Sequence, residues 1–202
     1  GLLAAAGLFR QAERAATCRV TVALVDAQSG QPLAGWIRAE DTSGKPLALA
    51  GLMSRGTGLP NTPLESWSVI VKPTTLELPP RKLKLIALSG LETEQATLEI
   101  DLTGKQELDV QLPLKQFYDA GRQGYVSANT HLHLMKLSRA QADQYLREIP
   151  LADVLDIVFL SYLERAVPCL EYTSNKYSDA DLRELSTSGV QFGNGQEHRH
   201  NF

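Results

Sequence analysis

The chain has 202 residues, enough for one large domain or two ordinary domains. Hydrophobic residues make up 43% and charged residues 21%, a balance typical of soluble globular proteins. The net charge of -3 comes from interspersed acidic and basic residues, which excludes the basic stripe of a nucleic-acid-binding surface. No apolar run approaches the roughly 18–20 residues that a membrane span requires. The two cysteines, Cys18 and Cys169, are too few for a disulfide framework or a structural zinc knuckle.

Residues 1–16 are predicted to form an N-terminal helix or linker. An apolar stretch at 2–9 is followed at once by charged residues at 10–14, which favours an amphipathic helix. The same stretch has the character of a signal-peptide core, but no basic leader precedes it. Thr17, directly before Cys18, disfavours a lipoprotein cleavage site.

Residues 17–114 have an all-β pattern and are predicted to form an immunoglobulin-like β-sandwich. Short alternating segments are separated by turn residues rich in Gly, Pro, Asp and Ser. Trp36 and Trp67 are expected in its core, and residues 50–63 are expected to form a loop. The predicted strands cover residues 19–25, 35–40, 67–71, 82–88, 96–102 and 107–112.

Residues 115–124 carry no clear period and are predicted to be a linker, and the pattern beyond them changes to α/β. A strand near 124–134 is followed by a helix that begins at a capping box at Ser138 and runs to about Glu148. A strand at 156–162, a helix from Ser178 to Leu185 and a strand at 190–197 complete the segment. This order indicates a parallel α/β layer. A closed barrel needs on the order of 200 residues, so residues 125–202 are predicted to be only its opening βα units.

The histidine-bearing strand carries the main functional signal. A strand repeats every two residues, so Asn129, His131 and His133 are predicted to share one face. Two neutral imidazoles at this spacing form half of a site for zinc, manganese or iron. Glu197 lies at the end of the last predicted strand, and the carboxyl ends of parallel strands gather functional residues. We therefore predict metal ligation by His131, His133 and Glu197, with Asn129 as a further candidate.

Two alternatives accompany this prediction. A lone His-x-His pattern often occurs by chance, and Glu197, His198 and His200 could equally form a solvated polar loop. In a straight strand Glu197 and His198 point to opposite faces, so both ligate only if the strand bends. Glu197 is therefore favoured, and His198 and His200 are secondary candidates.

Other chemistry-bearing residues receive structural interpretations. Asp153, Asp156 and Glu164 are interpreted as helix caps or surface charges. Ser127 and Ser161 lack the sequence context of a nucleophile elbow, and Cys169 is interpreted as a buried structural thiol. No residue is identified as catalytic.

A resemblance adds to these predictions. Asn129-Thr-His-Leu-His133 and Gly195-Gln-Glu-His-Arg199 resemble the first motifs of metal-dependent hydrolases of the PHP superfamily, in its CehA/McbA-like branch. Residues 20–27 with 30–33 resemble the first hairpin of the carboxypeptidase-regulatory-like, or transthyretin-like, sandwich that commonly precedes that domain. The resemblance implies a PHP-like barrel and one or more divalent ions held by His131, His133 and Glu197.

The chain departs from the family pattern in two respects. Asn129 stands where the family usually has Asp, and the family's remaining ligands come from later strands. We therefore expect that the natural protein continues beyond Phe202, that the site is incomplete here, and that this chain alone is inactive. An uncovered barrel edge would also promote self-association.

Two functional hypotheses follow. In the first, the chain is the N-terminal part of a hydrolase in which metal-bound hydroxide attacks an ester, phosphoester or amide in a small-molecule or carbohydrate-like substrate. In the second, the sandwich is a non-catalytic binding or adhesion module with a structural α/β extension. Neither involves nucleic acid or a membrane span. The family resemblance implies a secreted or periplasmic bacterial location.

Overall fold

A computed structural model describes residues 17–59, 61–134, 136–162, 176–186 and 189–196. The predicted N-terminal helix lies outside these described residues, as do Glu164, Cys169, Glu197, His198 and His200. The described elements are strands β1 to β11 and helices α1 and α2, with two short 3-10 turns at Pro63–Ser66 and Gly121–Gln123.

Two sheets form a β-rich unit that is consistent with the predicted sandwich. One sheet has the order β5-β1-β8, and the other has the order β3-β2-β6-β7 with β4 paired to β2. β1 runs antiparallel to β5 and parallel to β8. The strands are β1 (Cys18–Asp26), β2 (Gly35–Asp41), β3 (Pro46–Leu47), β4 (Ser68–Ile70), β5 (Thr74–Leu78), β6 (Lys82–Leu88), β7 (Ala96–Asp101) and β8 (Glu107–Leu114).

The core of this unit is formed by the inward-facing residues of both sheets. Val20 and Val22 of β1, Ile37 of β2 and Leu85 of β6 are fully buried in one hydrophobic cluster. In β1 the buried residues alternate with the more exposed Arg19, Thr21 and Ala23, and this is the period of two that predicts a strand. Burial of such side chains stabilises the fold by about 1.5–3 kcal/mol each.

The α/β unit contains a parallel sheet of order β11-β10-β9. Its elements are β9 (Ala128–Leu132), α1 (Arg139–Ala152), β10 (Ile157–Tyr162), α2 (Asp179–Leu185) and β11 (Gln191–Gln196). Leu146 of α1 and Leu182 of α2 share a cluster with Val158 and Leu160, so both helices cover the same face of the sheet. The described part of this unit contains three parallel strands and no closed barrel.

Both predicted helix starts are confirmed. Ser138 and Ser178 each accept a hydrogen bond from the backbone N–H three residues later, and Gln141 and Asp181 return a bond to the cap residue. Helix α1 continues four residues past its predicted end at Glu148 and contains Pro150 in its last turn.

The two units meet at a third apolar cluster. Trp36, Met53 and Val69 of the sandwich pack with Ile149 and Ala152 of α1. Trp67 lies against the same cluster. The prediction that Trp36 and Trp67 belong to the sandwich core is therefore wrong, because Trp36 lies on the face of its sheet that α1 covers and Trp67, directly before β4, packs against the same cluster.

The predicted linker, residues 115–124, runs along the loop between β6 and β7. The Glu94 amide donates to the Lys115 carbonyl at 2.8 Å, and the Phe117 amide donates to the Glu92 carbonyl at 2.9 Å. The Glu92 carboxylate also accepts from the Ala120 amide. These bonds hold the start of the α/β unit against the sandwich.

Candidate metal centre

The two predicted histidine ligands lie side by side at the carboxyl end of β9. His131 is in the strand, and His133 follows its last residue. Their ring centroids are 4.6 Å apart and the ring planes are perpendicular. His131 is exposed and His133 is half-buried.

The strand does not alternate regularly through this motif. Asn129 lies opposite Val158 and Leu132 lies opposite Leu160, so Thr130 and His131 together face one residue of β10. Such a bulge interrupts the period of two. Residues opposite each other in a sheet share a face, so Asn129 and Leu132 lie on the helix-covered side. The prediction that Asn129 shares an unbroken face with His131 and His133 is wrong at this bulge.

Asn129 explains the irregularity. Its Oδ1 accepts a hydrogen bond from the His131 backbone N–H at 3.0 Å. Asn side chains commonly bind a backbone N–H two residues further along, in competition with the strand ladder. Asn129 therefore shapes the backbone that carries His131.

Ser127 and Asp156 fix the start of β9. The Asp156 carboxylate accepts from the Ser127 N–H at 2.8 Å and lies 3.1 Å from the Ser127 hydroxyl. That hydroxyl also donates to the Val154 carbonyl at 2.5 Å. The exposed Asp156 is thus a surface charge, as predicted, and it also ties β9 to the loop after α1.

Strands β10 and β11 are closely packed against each other on the face away from the helices. A Cβ atom at Gly193 would lie 2.9 Å from the Phe159 ring, and one at Gly195 would lie 2.8 Å from Ser161 Oγ. A larger residue at either position would therefore require the facing side chain to move. The two glycines are two residues apart, so they lie on the same face of β11. This spacing is the sequence signal that could have identified a strand face without room for side chains.

The remaining predicted ligands, Glu197, His198 and His200, lie outside the described residues. Glu197 is the next residue after β11, which lies two strands from β9, or about 10 Å at ordinary strand spacing. Among the described residues no group of three or more His, Cys, Asp or Glu side chains could hold a metal. The donor chemistry of His131 and His133 fits zinc, manganese or iron, but a tetrahedral site needs further donors.

A polar cluster beside this site was not predicted. Arg55, in the loop between β3 and β4, donates to Tyr145 Oη at 3.0 Å and to Asp153 Oδ2 at 3.1 Å. Trp36 Nε1 donates to Asp153 Oδ1 at 2.9 Å. Burial raises the pKa of Asp153, and the attraction of Arg55 opposes this only in part. Burial likewise raises the pKa of Tyr145.

Asp153 is the C-cap residue of α1, so its interpretation as a helix cap is correct but incomplete. Its partners are 98 and 117 residues away in the chain. No local pattern connects residues so distant, and the sequence offers no signal for this cluster.

Comparisons with known proteins give little further information. No family model matches the chain, and no curated protein matches it. One similar solved structure is the C-terminal domain of the shaft pilin SpaA from Lactobacillus rhamnosus GG, at 10% identity over 50% of this chain and 98% of that one, with a TM-score of 0.25. A likeness at this level supports no statement about fold or function. None of the described helices is long and apolar enough to cross a membrane.

Proposed function

We propose that this chain contributes to the metal site of a hydrolase, with His131 and His133 as two ligands and Glu197 as the third. The observation that carries the proposal is the pair of adjacent imidazoles, 4.6 Å apart, at the carboxyl end of a parallel strand. Functional residues gather at such strand ends because the connecting loops meet there. In this proposal the parallel sheet is the opening of a PHP-like barrel.

The residues around His131 and His133 hold the strand that carries them in place before any metal is bound. Asn129 holds the His131 backbone out of regular strand geometry, and the Ser127–Asp156 contact anchors the same strand at its other end. A divalent ion such as zinc, manganese or iron would supply Lewis acidity and lower the pKa of water there. His131 and His133 would bind this ion as neutral imidazoles, and Glu197 would bind it through its carboxylate.

The proposed substrates are those of the predicted hydrolase: a small-molecule or carbohydrate-like ester, phosphoester or amide. Two histidines and one carboxylate leave coordination positions unfilled, so the proposal expects further donors, with His198 and His200 as the secondary candidates. A secreted or periplasmic location and self-association through a sheet edge remain predictions.

Metal content tests this proposal. The purified chain is stripped with a chelator, incubated separately with zinc, manganese and iron(II), desalted, and measured by plasma mass spectrometry. We expect near-stoichiometric loading with at least one metal, and loss of that metal in the His131→Ala/His133→Ala double variant. Glu197→Gln is expected to weaken retention of the metal, because it removes the charge of the third ligand.

Thr130→Ala is the matched control, because Thr130 lies exposed in the same strand, directly before His131. It should load metal like the wild type. A wild type that stays empty with every metal, or a double variant that loads equally well, would contradict the proposal. The non-catalytic sandwich binding module would then be the favoured function.

A further inference from the structure

A cleft lies between the sandwich and the α/β unit, next to His133. Its volume is about 170 Å³. Arg55, Thr57, Gly58 and Leu59 of the sandwich line one side of it. The other side is lined by Tyr145 of α1, by Leu132 of β9, and by His133, Leu134 and Leu137 of the loop between β9 and α1. The cleft is thus built jointly by two parts of the chain that are far apart in sequence.

Size and lining define the kind of molecule that fits. An engineered protein cavity of about 150 Å³ accommodates benzene, so this cleft has room for a single ring or a short branched chain. Leu59, Leu132 and Leu137 give it apolar walls. Ligand sites commonly combine such walls with a few placed polar groups.

Arg55 is the group in the cleft that can bind a negative charge, and it is already paired with Asp153. Arg55 is the only Lys or Arg among the described lining residues of the cleft, and none of those residues carries a carboxylate. The Arg55 guanidinium is held in place by Tyr145 and Asp153, and it lies 5.2 Å from the centroid of the Trp36 ring. Two of its five N–H donors are engaged by these hydrogen bonds. The others can bind a carboxylate with little loss of side-chain entropy.

We propose that this cleft binds a small organic carboxylate with an apolar body about the size of a benzene ring. Arg55 binds the carboxylate, and Tyr145 and Asp153 position the Arg55 guanidinium. The leucine side chains contact the apolar body. Binding requires no metal at His131 and His133, so it can be tested on the metal-free chain even though His133 also lines the cleft.

A titration of the metal-free chain with benzoate, followed by two-dimensional amide NMR, tests the proposal. We expect saturable shifts centred on the amides of Gly58 and Leu134. Acetate lacks the apolar body and benzamide lacks the charge, so each should bind on the order of tenfold more weakly. Shifts that do not saturate, or equal binding of all three compounds, would overturn the proposal.

Two variants locate the site. Arg55→Gln should weaken benzoate binding on the order of tenfold, because it removes the charged donor. Leu59→Ala should weaken it severalfold with the fold intact, because Leu59 is 43% exposed. Arg19→Gln, at an exposed arginine paired with Glu107, is the control and should bind like the wild type. Benzoate affinity unchanged in Leu59→Ala would overturn the proposal even if Arg55→Gln proved unstable.

Discussion

At the scale of single residues, several turns depend on an aspartate that binds the backbone of its own turn. Asp41, at the end of β2, accepts hydrogen bonds from the Ser43 hydroxyl at 2.6 Å and from the backbone of Ser43 and Lys45. These bonds favour the charged carboxylate, and the Ser43 hydroxyl is the largest cause that lowers the pKa of Asp41 below its ordinary 3.8. The same arrangement recurs at Asp26 with Ser29.

A pH dependence follows from the direction of this shift. A carboxyl group whose pKa is lowered by folding stabilises the folded state above its unfolded pKa, and that contribution is lost as the pH falls through the folded pKa. We expect Asp41→Asn to be less stable than the wild type at pH 7, with the difference disappearing as the pH falls below 3.8. Urea unfolding at several pH values measures it.

The control for this prediction is Asp109→Asn. Asp109 is exposed in β8, and within the described residues its carboxylate accepts no hydrogen bond. Its stability difference from the wild type should be small at every pH. A difference for Asp41→Asn that stays constant from pH 7 to pH 3 would rule out the turn carboxylate as its source.

At the scale of elements, the face of the parallel sheet opposite the helices has little room for side chains at its glycine positions. Gly195→Ala would place a Cβ atom 2.8 Å from Ser161 Oγ, and Ser161 is only 3% exposed, so the hydroxyl has little room to move. Overpacking of this kind costs about 1–3 kcal/mol, which exceeds the roughly 0.5–1 kcal/mol that alanine gains over glycine in a strand. We expect a net loss of stability, measured by urea unfolding.

Two comparisons separate packing from backbone effects. Ser161→Ala/Gly195→Ala removes the conflicting hydroxyl and should be more stable than Gly195→Ala alone. Gly193→Ala should cost less than Gly195→Ala, because the Phe159 side chain that it meets is 37% exposed and can swing away. Equal losses at Gly193 and Gly195 would show that the backbone, not the Ser161 contact, sets the cost.

Short-range sequence patterns predict where helices and strands begin better than they predict which distant residues are in contact. The capping boxes at Ser138 and Ser178 are complete within four residues, so both helix starts could be predicted. β5 was missed, although Leu76 and Leu78 alternate into the core, because prolines on both sides indicate turns. The adjacency of His131 and His133 could be predicted from a two-residue spacing. The bulge could not, because it depends on which atom the Asn129 side chain binds.

At the scale of the whole molecule, contacts between distant residues join the sandwich to the α/β unit. Trp36, Met53 and Val69 form an apolar interface with Ile149 and Ala152. The Gly90 N–H donates to the Ala152 carbonyl at 2.9 Å, and the left-handed Gly90 is so close to Val154 that a Cβ there would lie 2.7 Å from it. Such an apolar interface favours unfolding of the two units together.

Asp153 is the residue on which this coupling should depend most. Its carboxylate accepts from both Trp36 and Arg55, and the Arg55 and Asp153 side chains are only 31% and 26% exposed. Asp153→Ala would leave the buried Trp36 indole N–H without its acceptor and the partly buried Arg55 guanidinium without its carboxylate partner, which should cost about 1–3 kcal/mol of unfolding free energy. Glu94→Ala is the control, because the Glu94–Lys115 pair is 53% and 67% exposed and such pairs contribute about 0–1 kcal/mol.

Urea unfolding followed by tryptophan fluorescence and by circular dichroism should give coincident transitions in the wild type, and a lower midpoint in Asp153→Ala. Equal midpoints for the two variants would mean that the hydrogen bonds of Asp153 add no stability to the contact between the two units.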